Sequence, residues 1–457
     1  MQVNPHIFRE YDIRGVVKQD LGGEVPYLVG RAFASELRAW RKDRPGLRVV
    51  VGRDNRPSSP DLAQEIVRGI LAAGVHVIDL GTVPTPVLYW AATRFETDGG
   101  VQITGSHNPP EYNGFKMIAG TRAFYGDQIQ ALRGRIEEDD LATGEGRLER
   151  EDVLGAYTED VSRRFRLARP VRVVADCGNG TGSLVAVQLL ERTGADVVPL
   201  YCISDGTFPN HHPDPVVDAN LEDLIARVRE ERAELGVAFD GDADRIGAVD
   251  EQGKIVRGDQ LLLLYGLDVL ERRGKGQKLV FDVKCSQAVP EVFRARGGEP
   301  IMWKTGHSLI KEKMKETGAL LAGELSGHIC FADEYYGFDD ALYAACRLVD
   351  LVARADRPFS ALIGQFPAYV STPELRVDVP EERKFELVRE AIEHFRRRFD
   401  VIDVDGARVL FGDGWGLLRA SNTQPVLVLR YEARTAERLD EIRRTFEEWL
   451  REQGVRV

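Results

Sequence analysis

Val49-Val50-Val51-Gly52-Arg53-Asp54 decides the fold. A run of β-branched residues that breaks into Gly, Arg and Asp reads as a buried strand ending in a polar turn. Beyond it the spacing predicts a helix over 61–71, a stop at Ala73-Gly74-Val75 and a second strand at Val77-Ile78. The order returns in Val173-Val174-Ala175-Asp176, a helix over 184–190, Thr193-Gly194-Ala195-Asp196 and Val197-Val198. It returns again in Leu279-Val280-Phe281-Asp282, a helix over 288–294, Arg296-Gly297-Gly298 and Pro300-Ile301. Strand, polar loop, helix, glycine stop and strand make a βαβ unit, whose strands are parallel. The copies predict an α/β protein of three consecutive α/β domains with mixed, largely parallel sheets.

After Pro367 the texture changes. Tyr369-Val370-Ser371-Thr372-Pro373-Glu374-Leu375-Arg376-Val377 reads as an edge strand or extended linker. A helix over 381–399 follows, with Phe385, Val388, Ile392 and Phe395 on one face. Short strands near Val409 and Leu417, a stronger one over 426–429 and a last helix over 436–451 complete a smaller C-terminal α+β domain. The boundaries fall at 1–150, 151–253, 254–366 and 367–457.

A chain of 457 residues is too long for one core, in agreement with this division. Hydrophobic residues at 43% and charged residues at 29% exclude a disordered or fibrous chain. Lys+Arg 61 against Asp+Glu 73 leaves −12, which disfavours nucleic acid and anionic membranes as partners while allowing a local basic pocket for phosphate. The cysteines (Cys177, Cys202, Cys285, Cys330, Cys346) form no CxxC pair and read as reduced, space-filling thiols. Met1-Gln2-Val3-Asn4-Pro5 carries no signal-peptide pattern, and no uncharged apolar run reaches the roughly 20 residues of a bilayer span. The expectation is a cytoplasmic protein.

Four segments carry the chemistry. Thr104-Gly105-Ser106-His107-Asn108-Pro109-Pro110 follows the strand-like Val101-Gln102-Ile103, at the strand end where open α/β sheets place ligands. The hydroxyl of Ser106 is expected to be exposed there, with Lys116 nearby in sequence; a plain surface turn is the alternative. A Ser–His esterase is excluded because G-x-S-x-G is absent. Asp240-Gly241-Asp242-Ala243-Asp244-Arg245 offers alternating carboxylates that converge on a hard cation, because carboxylates this close repel unless a cation sits among them. An EF-hand is excluded by Arg245 at the position that needs Gly. Gly323-Glu324-Leu325-Ser326-Gly327-His328 has groups suited to sugar hydroxyls. Arg419-Ala420-Ser421-Asn422-Thr423-Gln424-Pro425, with Arg430, is either a phosphate cradle or a polar hairpin turn. The pair His211-His212, flanked by prolines, reads as an interdomain linker.

Together with Phe8-Arg9-Glu10-Tyr11-Asp12-Ile13-Arg14-Gly15, these motifs resemble the α-D-phosphohexomutase family over essentially the whole chain, nearest its bacterial phosphomannomutase/phosphoglucomutase branch. The resemblance implies four domains around a central cleft. It implies that Ser106 is phosphorylated and that Mg²⁺ is held by Asp240, Asp242, Asp244 and a phosphate oxygen on Ser106. Glu324 and Ser326 would hold sugar hydroxyls, and Arg419, Ser421, Asn422, Thr423 and Arg430 would clamp the other phosphate. Tyr11, Arg14, Lys284 and His307 would line the cleft; Lys116, Arg245 and His328 are the unranked candidates for proton transfer and charge balance.

The implied reaction moves a phosphoryl group between the 1- and 6-positions of mannose or glucose phosphates through a hexose 1,6-bisphosphate, in a monomer or dimer. Leu325 stands where phosphoglucosamine mutases carry a polar residue, which favours the hexose branch. Alternatives are a phosphoglucosamine mutase, a metal-dependent sugar phosphatase, and a non-catalytic sugar-phosphate sensor. The last is disfavoured because a sensor needs neither nucleophile nor metal.

Overall fold

The computed structural model describes residues 3–42, 44–421 and 424–456. The chain forms two compact units, Met1–Leu261 with Ser326–Leu362, and Leu262–Leu325 with Ile363–Val457.

The first unit holds two sheets. In one, the parallel strands Arg48–Arg53, His76–Thr82 and Gly99–Ile103 form the centre, and Tyr112–Ala119 and Ile13–Val16 add antiparallel on one side. Val49, Val50 and Val51 are buried, as a strand covered on both faces requires. Helices Val25–Trp40 and Ser59–Ala72 cover the sheet, with Val29, Phe33, Ile66 and Ile70 in its core. The other sheet runs Ile255–Val256, Ile246–Asp250, Leu235–Phe239, Arg172–Asp176, Asp196–Leu200. Its last three strands are parallel, and the metal-type loop connects the antiparallel pair Leu235–Phe239 and Ile246–Asp250.

In the second unit, Glu299–Trp303, Lys278–Asp282 and Leu321–Gly323 lie parallel. The C-terminal sheet is antiparallel throughout, built on Val426–Ala433, Gly414–Ala420, Ala407–Leu410 and Asp400–Ile402. Helices Glu381–Arg396 and Ala436–Glu452 pack on it through Leu387, Phe395, Ile442, Phe446 and Trp449. Mixed and parallel sheets followed by an antiparallel α+β region are the expected fold class. Sequence periodicity understated the C-terminal sheet: the strand at 426 runs on to Ala433, and Asp400–Ile402, to which no element is assigned between the helix over 381–399 and the strand near Val409, is a strand. Among the described residues no helix is long and apolar enough to cross a membrane.

Candidate active site

In the first unit the serine loop meets the acidic loop. Ser106 follows the strand Gly99–Ile103 and adopts a left-handed backbone, φ 49°, which few non-glycine residues do. The Ser106 amide donates to Thr104 Oγ1 at 2.8 Å, which holds the turn, and the hydroxyl donates to Asp240 Oδ2 at 2.8 Å. His107 Nδ1 lies 3.1 Å from the same hydroxyl. The approach depends on Gly241, where any Cβ would stand 2.5 Å from the Ser106 carbonyl oxygen. Ser106 is therefore buried rather than exposed as expected, because the acidic loop covers it.

Asp240, Asp242 and Asp244 are wholly buried, each offering a carboxylate oxygen within 4.8 Å of the others. Lys116 donates to Asp242 Oδ2 at 2.8 Å and to Asp244 Oδ2. Thr85 Oγ1 donates to the same Asp242 oxygen at 2.5 Å. Burial and the neighbouring carboxylates push the Asp240 carboxyl well above the usual range. Burial opposes charge on Lys116, but Asp242 and Asp244 outweigh it and hold the ammonium protonated. The Lys116 ammonium thus lies against two of the three carboxylates. Asp242 Oδ1 is buried without a hydrogen-bond partner among the described residues. An orphaned carboxylate oxygen beside two further carboxylates is the donor set of a hard cation. The residues fit a metal ion.

Arg245 Nε donates to His328 Nε2 at 3.3 Å, and His328 Nδ1 pairs with Ser326 Oγ at 3.0 Å. His328 Nε2 lies 3.4 Å from Asp244 Oδ1, so Arg245, Ser326 and His328 join the acidic loop. Arg14 is bound by Asp12 and by Asn108 of the serine loop. Tyr11 is partly buried beside them in sequence.

The second unit carries a separate cationic group. Lys284 Nζ donates to Glu374 Oε1 at 2.6 Å. The Lys284 charge, more than the opposing effect of burial, with Arg430 and Arg419 adding, draws the Glu374 carboxyl down to about 2. Lys284 pairs with Glu374, and the charges of Arg419 and Arg430 act on the same carboxylate, as they could act on a phosphate. Arg419 Nε donates to Asp405 Oδ2 at 3.0 Å, and Arg430 Nε is buried without a partner among the described residues. Glu324 Oε1 accepts from the Gly306 amide at 2.7 Å, next to His307, which opens the helix His307–Thr317. Ser421 Oγ accepts from the Gln424 amide at 3.2 Å. Asn422 and Thr423 lie outside the described residues.

Sequence reading gives no site role to Asp54, Arg56, Thr85, His107, Asp405 and Glu374. Arg56 is the most consequential. Its buried guanidinium donates to the carbonyls of Ser106 at 2.8 Å, Asn108 at 2.6 Å and Pro109 at 2.7 Å, and to Asp54 Oδ2 at 3.1 Å. Asp54 Oδ2 also accepts from the Gly105 amide at 3.0 Å, so the pair staples the serine loop through its backbone. Nothing in Asp54-Asn55-Arg56-Pro57 announces this, because an arginine in a polar turn is ordinarily solvated. The two histidines read as a linker are also engaged: His212 with the His107 carbonyl oxygen, and His211 with Asp176 at 3.1 Å.

Arg56→Ala is expected to cost about 3–5 kcal/mol by stranding Asp54 and four carbonyls, that of Tyr112 included, measured by urea unfolding. Arg56→Lys keeps the charge but not the fork. It should retain most of the stability and still lower kcat about tenfold or more, the size of one lost charged hydrogen bond. Wild-type kcat in Arg56→Lys would show that the loop needs only a charge.

Models of the phosphoglucomutase/phosphomannomutase family match in four consecutive pieces: alpha/beta/alpha domain I at residues 5–143, domain II at 155–253, domain III at 257–369 and the C-terminal domain at 374–448. The phosphomannomutase/phosphoglucomutase of Pseudomonas aeruginosa is 48% identical over 447 residues, spanning 97% of this chain and 95% of that protein. The phosphoglucomutase of Neisseria gonorrhoeae is 44% identical over 445 residues, spanning 96% and 95%. The crystal structure of a phosphoglucomutase/phosphomannomutase family protein from Burkholderia thailandensis superposes with a TM-score of 0.91 at 44% identity, covering 98% of each chain. The chain belongs to the bacterial phosphoglucomutase/phosphomannomutase branch of the α-D-phosphohexomutases.

Proposed function

We infer that the chain is a phosphohexomutase that moves a phosphoryl group reversibly between the 1- and 6-positions of mannose or glucose phosphates. The observation that carries this reading is the Ser106 hydroxyl seated 2.8 Å from Asp240, within the buried carboxylate trio. Ser106 is the residue that carries the phosphoryl group. The sugar hydroxyl attacks phosphorus, the bond from phosphorus to Ser106 Oγ breaks, and the hydroxyl proton leaves to a nearby base. In the second half-reaction the other phosphate of the hexose 1,6-bisphosphate returns to Ser106.

Asp240, Asp242 and Asp244 are the residues that would hold Mg²⁺, with a phosphate oxygen on Ser106 as a further ligand. Such an ion supplies charge neutralisation for phosphoryl transfer. Lys116 offsets part of the carboxylate charge, and Arg56 fixes the loop. Arg245 and His328 remain the candidates for proton transfer. Lys284, Glu324, Ser326, Arg419 and Arg430, with Tyr11, Arg14, His307, Ser421, Asn422 and Thr423, are assigned to the sugar and its second phosphate. Glucose and mannose differ at one hydroxyl, so a site gripping the others accepts both. Purified enzyme should convert mannose 1-phosphate and glucose 1-phosphate to the 6-phosphates without releasing phosphate. Free phosphate in place of isomer would make it a phosphatase, and preference for glucosamine 1-phosphate would move it to another branch.

Arg419→Ala tests the clamp. A bidentate charged contact contributes about 1.5–3 kcal/mol, so kcat/KM should fall on the order of tenfold to a hundredfold. The variant should also come to depend on added hexose 1,6-bisphosphate, because an enzyme that loses its intermediate is left dephosphorylated. Unchanged KM without that dependence would remove Arg419 from the clamp.

A further inference from the structure

Two of the cysteines are not isolated. Arg172–Asp176 and Asp196–Leu200 pair in parallel with Asp176 opposite Leu200, so the segments leaving them begin side by side. Cys177 donates its amide to the Leu200 carbonyl at 3.0 Å, and its Sγ lies 2.8 Å from Cys202 Sγ. Both thiols are free. Bond formation needs less than about 1 Å of further approach, with no change of strand register.

We propose that Cys177 and Cys202 form a reversible thiol–disulfide site, closed by small-molecule disulfides and reopened by thiols. The two positions differ as the chemistry requires. Cys177 is buried, whereas Cys202 is partly exposed and precedes Ile203, which is 81% exposed. A hydrogen bond from Cys177 draws the Cys202 thiol below its usual range, and the same contact with burial pushes Cys177 well above it. Cys202 is therefore the attacking thiolate.

The steps balance. The Cys202 thiolate attacks one sulfur of a disulfide RSSR, the S–S bond breaks, and one RS⁻ leaves and takes up a proton. Cys177, losing its proton, then attacks the Cys202 sulfur and expels the second RS⁻. Two protein thiols and one RSSR become one protein disulfide and two RSH.

The bond would tether the loop that supports the metal-type loop. Residues 177–181 run from the cysteine to Thr181, whose amide and hydroxyl donate to the Gly241 carbonyl at 2.9 and 3.2 Å. Because the sulfurs already touch, closure fixes this loop where it stands. The site is a staple rather than an off-switch.

The test is to equilibrate the full-length enzyme with glutathione disulfide, alkylate, and map peptides by mass spectrometry. Two of the five thiols should disappear, one peptide pair should carry the Cys177–Cys202 link, and dithiothreitol should restore both thiols. The thermal midpoint should rise by about 2–5 °C, with kcat within about twofold of the reduced enzyme. In Cys177→Ser the reaction should stop at a mixed disulfide on Cys202, and Cys202→Ser should consume no thiol. Retention of all five thiols, or a stable glutathione adduct on wild-type Cys202, overturns the proposal, and the wild-type map decides it even if a variant fails to fold. An activity loss of tenfold or more on oxidation overturns the staple and makes the pair a switch.

Discussion

Ser106→Ala should lose turnover by at least about 10⁴-fold, the scale on which removal of a catalytic nucleophile is felt, while the folded protein stays intact. Alanine carries the same Cβ as serine into the left-handed turn, so the backbone strain at φ 49° is unchanged. The turn keeps its Thr104 and Arg56 contacts, which use the Ser106 amide and carbonyl rather than its hydroxyl. Only the hydroxyl, with its bond to Asp240 and its contact with His107 Nδ1, is lost. The thermal midpoint should therefore shift little, and sugar phosphates should still bind by calorimetry. Intact mass should show one phosphate on active wild-type enzyme and none on the variant. Turnover at wild-type rate by Ser106→Ala would end the phosphoserine mechanism.

The contrast between Ser106 and Arg56 shows what the sequence could reveal. Ser106 stands in a small-residue loop after a buried strand, and the trio Asp240, Asp242, Asp244 alternates after another; both patterns are local and chemically unusual. The βαβ repeats were legible for the same reason, since apolar runs ending in Asp54, Asp176 and Asp282 need no tertiary information. Arg56 and Thr85 act on loops far away in the chain, and a long-range hydrogen bond leaves no local trace. Glu374 lies in a stretch that reads as an edge strand or extended linker, and a lone carboxylate after proline carries no signal until the fold brings Lys284 against it. The strand Asp400–Ile402 was missed because its three residues are too few to show a period of two. Burial of Ser106 was invisible for a related reason: it depends on Gly241 admitting a second loop, and a glycine between aspartates looks only like a turn.

Asp242→Asn should weaken Mg²⁺ binding at least about a hundredfold, beyond the 10–100-fold range of lost supporting contacts to a metal ligand, and lower kcat with it. The charge count explains the severity. Three carboxylates outnumber the ammonium of Lys116 that pairs with two of them, and the substitution removes one of the negative charges that would attract a divalent cation. The asparagine amide cannot recover the geometry. Asp242 Oδ2 accepts from both Lys116 and Thr85, so the amide oxygen must face those donors. The NH₂ group then occupies the place of Oδ1, the Asp242 oxygen without a hydrogen-bond partner among the described residues. A donor pointing where a cation should sit repels it, so excess Mg²⁺ should rescue activity only in part. Calorimetry on the variant reads the metal directly, without relying on turnover. Wild-type Mg²⁺ affinity there, or full wild-type activity in EDTA, would mean that the trio serves Lys116 alone and holds no cation.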